Sequence, residues 1–132
     1  MKKTYKTGTE LYHIARKHYK DSNCCAVVAI AITCQVSFGK AFNLAKRLGR
    51  ITGKGTPWRI ITTSYEALGY KLVRVESGAK TVSTLGRHLP SSGRYLVHVR
   101  GHVLAFDDGV VKDWSEGRRH RIKDIYQVVK DN

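Results

Sequence analysis

The sequence predicts a single α+β domain, with helices in the first half and an antiparallel sheet built from the second. Three observations lead there. Apolar residues recur at helical spacing through much of residues 24–68. From Arg94 onward the pattern changes to alternation rich in Val, Ile and aromatic residues. The 132 residues also suit one core, and no repeat, low-complexity segment or Pro/Ser linker divides them.

Taken in order, residues 8–20 suit either a short helix or an extended N-terminal arm. Asp21-Ser22-Asn23 offers three N-cap residue types directly before the apolar, alanine-rich stretch 24–33, which reads as a buried helix with Cys24 and Cys25 in its first turn. Ser37 caps a second helix that runs amphipathically through Ala41, Phe42, Leu44, Ala45 and Leu48 and stops at Gly49. Thr56-Pro57 opens a third, with Pro at the first helical position and Ile60, Ile61, Tyr65 and Leu68 following before Gly69. Residues 70–75 alternate as a strand, and 81–89 form a short fourth helix ended by Pro90. Residues 95–100, 102–106, 110–114 and 122–129 complete the sheet.

Charge is the least ordinary feature. With 24 Lys+Arg against 10 Asp+Glu, the net charge is +14, which favours polyanions through counterion release. Arg47, Arg50 and Lys54 form one basic cluster, and Arg118, Arg119 and Arg121 around His120 form another. Both are candidates for nonspecific contact with nucleic acid or an acidic protein, although no recognition-helix or RNA-binding signature accompanies them. No apolar run reaches about 18 residues, and the first residues lead into charge rather than an apolar signal core, so neither a membrane partner nor signal-directed secretion is expected. Three cysteines, two of them adjacent, argue for reduced thiols rather than a disulfide framework. Their spacing to the six histidines matches no metal motif, and neither metal nor cofactor is expected.

The chemistry centres on the cysteines. A Cys at a helix N-terminus feels the partial positive charge of unpaired N–H groups, which favours thiolate and can stabilise an oxyanion. Cys25 is so placed, with Cys24 as the competing nucleophile. A base and an orienting group are still required. Asp108-Gly109 is a strong two-residue turn signal, and such a turn pairs Asp107 with Val110, Phe106 with Val111 and Leu104 with Asp113. His102 and Asp113 then share a face as diagonal neighbours, about 7–8 Å apart along the backbone. A three-residue turn would instead place Asp113 on the opposite face. Asp107 and Asp108 read as turn formers, Cys34 as structural, and His98 as a core residue or a neighbour of the site. His13, His18, His88 and His120 read as surface residues, and Trp58 as either a core anchor or part of a groove.

The stretch from Asp21 to Ala31, in which Cys25 is followed by Ala29 and Ala31, resembles the nucleophile helix of papain-like cysteine peptidases. The order Cys, His on a strand, then Asp on the next strand is also that superfamily's order. Residues 93–102 followed by 108–113 are similar to small bacterial and phage proteins related to the bacteriocin-processing double-glycine peptidases. The likeness spans most of residues 20–115. It implies a papain-like fold with Cys25 as nucleophile, His102 as general base and Asp113 as orienting group. Where that family has an oxyanion-donating Gln six positions before the nucleophile, this chain has Tyr19, and Asn23 is the candidate substitute. The implied activity is a thiol hydrolase acting on peptide or isopeptide bonds, in a phage protein of the host cytoplasm or the virion. Acyl transfer uses the same three residue types. An inactive member of the fold, binding partners through its basic surface, is the alternative.

Overall fold

A computed structural model describes residues 8–131. Helices α1 (Gly8–Tyr19), α2 (Cys25–Cys34), α3 (Phe38–Arg47) and α4 (Trp58–Ala67) precede strand β1 (Tyr70–Arg74). A 3-10 turn (Val82–Thr84) and the one-turn helix α5 (Leu85–His88) follow. Strands β2 (Arg94–Val99), β3 (His102–Asp107), β4 (Val110–Val111) and β5 (Ile122–Lys130) complete the chain. The sheet is antiparallel throughout, in the order β1-β5-β2-β3-β4, so β5 lies between β1 and β2. This is the expected α+β class.

The sheet separates two apolar layers. Leu96, Val103, Ala105 and Val128 face α1–α4, while Tyr95, Val97, Val99, Leu104, Phe106 and Ile125 face the segment holding Ala79, Val82 and Leu85. Helix α2 is apolar on every side and all its residues after Cys25 are buried, as expected of a helix enclosed by other elements. Its polar Thr33 is accommodated because its hydroxyl donates to the Ala29 carbonyl at 2.8 Å and lies 2.7 Å from the Tyr65 hydroxyl. A rigid central helix of this kind fixes its first residue, Cys25, against the sheet.

Several boundaries differ from the sequence reading for identifiable reasons. The segment 8–20 is a helix rather than an arm, because Leu11, Tyr12 and Ala15 bury one face in the core. The N-cap of α2 is Cys24 itself, without a side-chain cap. Asp21 accepts from the Asn23 N–H and pairs with Arg50 instead. Ser37 does cap α3, accepting from the Lys40 N–H at 3.1 Å. Pro57 precedes the first helical residue of α4 rather than occupying it. The fourth predicted helix is shorter, split into the 3-10 turn and α5. The strand expected over 110–114 ends at Val111, with consequences for the site.

Candidate active site

Cys25 begins α2, where the first-turn N–H groups have no intrahelical acceptor. Opposite it, the two-residue connection Arg100-Gly101 turns β2 into β3, with Gly101 at φ +69, so that His102 opens β3 facing the start of α2. The Cys25 thiol interacts electrostatically with His102 and with the Val103 N–H.

The β3–β4 hairpin has the two-residue register. Asp107 pairs with Val110 and Phe106 with Val111, and the Lys112 N–H donates to the Ala105 carbonyl at 3.0 Å. Asp108 (φ 55) and Gly109 (φ 76) both adopt the left-handed conformation that such a turn requires. The expected Leu104–Asp113 pairing does not form, because the chain leaves the sheet after Lys112 and bends through 113–117. There the Glu116 N–H donates to the Asp113 carbonyl and the Arg118 N–H to that of Ser115. Asp113 is therefore not a diagonal strand neighbour of His102. Its Oδ2 accepts directly from His102 Nε2 at 2.8 Å. Nε2 being engaged, Nδ1 is the ring nitrogen left for Cys25.

Burial shapes the electrostatics and the hydrogen bonds reverse its effect. Burial alone would raise the Cys25 thiol, but the bonds from His102 and the Val103 N–H, with the imidazole's charge, hold it below its ordinary value. Burial would lower His102, yet its bonds to Asp113 and Cys25 push it up to about 9. Burial would raise Asp113, and the bonds from His102 and Ser115 hold it low instead. The three groups thus favour thiolate, imidazolium and carboxylate together. Trp114, 48% exposed, packs against the imidazole with its ring centroid 4.7 Å from that of His102. Cys24, the competing thiol, is buried, and burial with the charge of Asp21 raises it to about 11, against the lowered Cys25 thiol.

A cavity of about 680 Å³ opens onto Cys25 and His102. Asn23, Thr56 and Trp58 line one side of it, and His98, Asp124 and Tyr126 continue it along the sheet. Trp58, 42% exposed, is a groove residue, 5.1 Å from Tyr126 and 6.3 Å from His98 between ring centroids. His98 neighbours the site and pairs with Asp124 at 3.5 Å. Tyr19 does not enter the cavity. It packs on Phe38 and Phe42, so no side chain six positions before Cys25 reaches the reacting centre. Asn23 does line the cavity, two residues before Cys25.

The first basic cluster is not as expected. Arg50 is buried, and its guanidinium bonds Asp21 Oδ2 at 2.7 Å, the Asn23 and Lys54 carbonyls at 2.8 and 3.0 Å, and the Thr56 hydroxyl at 2.9 Å. It ties the 50–56 loop to the turn before the nucleophile and is not available to a polyanion. Arg47 and Lys54 are exposed, as are Arg118, Arg119 and Arg121. His120 is half-buried rather than on the surface, edge-on to Trp114 at 5.5 Å. Among the described residues no group of three or more His, Cys, Asp or Glu side chains is arranged to hold a metal, and no helix is long and apolar enough to cross a membrane.

Sequence reasoning missed two partners of Asp113. Ser115 donates to Oδ2 from its N–H at 3.1 Å and from its hydroxyl at 2.5 Å, and Tyr12 donates to Oδ1 at 2.9 Å. The Asp-x-Ser spacing was a readable signal for the first, since such side chains bond the backbone two residues on. Nothing local marks Tyr12. Comparison with family models, curated proteins and solved structures gave no match.

Proposed function

We propose that this chain is a papain-like thiol hydrolase, a cysteine peptidase or isopeptidase, with Cys25 as nucleophile, His102 as acid–base and Asp113 as the group that orients the imidazole. The observation that carries the reading is that Cys25 and His102 line one open cleft together, with the His102 Nε2 bonded to Asp113 Oδ2 at 2.8 Å behind them. The Cys25 thiolate attacks the substrate carbonyl carbon and forms the S–C bond. The oxyanion is received by the N–H groups at the start of α2, with the Asn23 amide as the side-chain donor. The His102 Nδ1 proton passes to the leaving amine as the C–N bond breaks. A water that has lost a proton to His102 then attacks the thioester carbonyl. Cys25 leaves as thiolate and the carboxylic acid is released. An amine in place of that water would make the same site an acyl transferase.

The test is the rate of iodoacetamide labelling from pH 5 to 9, with the labelled cysteine located by peptide mass spectrometry, on wild type and His102→Ala. Fast labelling confined to Cys25 near pH 6, lost in the variant, is the expected result. Labelling that rises only above pH 8 and is the same in both proteins would refute the reading. It would also favour a binding protein acting through its basic surface.

A further inference from the structure

We propose that Tyr12, on the first helix, is a positioning residue of this site: its phenol fixes the rotation of the Asp113 carboxylate, and through it the alignment of His102. The proposal rests on the reading of Cys25–His102–Asp113 as a working triad. Three donors converge on one oxygen of Asp113, from His102 Nε2, the Ser115 N–H and the Ser115 hydroxyl, while Tyr12 holds the other oxygen. A carboxylate turns about its last bond with little intrinsic preference. The donors on Oδ2 already oppose that turn, and the Tyr12 donor on Oδ1 adds a second restraint on the far side of the axis, which keeps Oδ2 directed at the imidazole.

Helix α1 is built to carry this contact. Leu11, Tyr12 and Ala15 anchor it in the core, and Gly8 sits so close to the Lys112 carbonyl and the Asp113 N–H that a Cβ there would overlap them. The helix thus grips the 112–113 segment at its first residue and again one turn later, across 101 residues of chain. Packing alone would be served by Phe at position 12. A buried tyrosine hydroxyl is tolerated when it has a partner, and here that partner is Asp113. Burial and the nearby Asp113 charge also keep the phenol protonated, so it remains a donor.

Tyr12→Phe keeps the ring and removes only the donor. Cys25 labelling at pH 6 should slow about tenfold, the order expected when a hydrogen bond to a charged group is lost. The acid limb of the pH profile should move to higher pH, because a carboxylate with one oxygen unpaired is more easily protonated. In an Asp113→Asn background the same substitution should have almost no further effect, since the two residues act as one unit. Incorporating 3-fluorotyrosine at position 12, a stronger donor in the same ring, should move the acid limb the opposite way. Fast wild-type labelling whose rate and profile are unchanged by Tyr12→Phe would overturn the role of Tyr12 alone. Wild-type labelling no faster than that of His102→Ala would overturn the triad and this role with it.

Discussion

Arg50→Ala is the most informative test of how the cleft is held together. The Arg50 and Asp21 side chains are 2% and 0% exposed and meet at 2.7 Å. Truncating Arg50 leaves the Asp21 carboxylate buried, still accepting from the Asn23 N–H, and strips a partner from two carbonyls and the Thr56 hydroxyl. Removing one member of a buried ion pair costs about 3–5 kcal/mol. At about 2.1 cal/mol/K of unfolding entropy per residue, that corresponds to a fall in Tm of roughly 11–18 °C for a chain of this length. The pH dependence gives a second readout. In the wild type, burial would raise Asp21, but Arg50 and the N–H donors hold it below the usual carboxylate range. Its stabilisation is therefore present above the unfolded pKa of about 3.9 and is lost as pH falls through the lower folded value. Without Arg50, burial dominates and Asp21 binds a proton at higher pH. The stability difference between the two proteins, measured by urea unfolding, should accordingly be largest near pH 7 and shrink toward pH 4. A loss below about 1 kcal/mol, the range of exposed pairs, or a deficit that is constant with pH, would refute this account.

Three further outcomes are expected. The folded pKa of His102, about 9, lies above its unfolded value of about 6.5. Its stabilisation is thus complete below about pH 6.5 and disappears as pH rises through 9, and the unfolding free energies of wild type and His102→Ala should converge over that interval; parallel curves would contradict it. Asp113→Asn should fold and slow Cys25 labelling at pH 6 by less than His102→Ala does, and a rate equal to wild type would remove Asp113 from the mechanism. Tyr65→Phe, at a fully buried position where the lost hydroxyl leaves Thr33 still bonded to Ala29, should lower stability by about 1 kcal/mol without altering Cys25 labelling.

What could be read in advance depended on the distance along the chain over which each residue's partner lies. The hairpin at Asp108-Gly109 was legible because its determinants are two adjacent residues, and its register followed. The continuation to Asp113 was not, because the decision to leave the sheet depends on Ser115 and on α1 packing against the 112–113 segment. Arg50 looked like a surface cation because its charge is visible in the sequence and its partner, Asp21, lies 29 residues away. The placement of Cys25 at a helix start and His102 at a strand start was legible because both positions carry local signals. The Tyr12 contact spans the helical half and most of the sheet, and no local pattern encodes it.

The position of β5 between β1 and β2 bears on how the molecule is made. During synthesis α2 emerges early, yet β1 has no neighbour in the sheet until residues 122–130 arrive, and until then β2 is paired on one side only. A ribosome-bound chain that stops short of those residues exposes unpaired strand edges of the kind that recruit chaperones and promote aggregation.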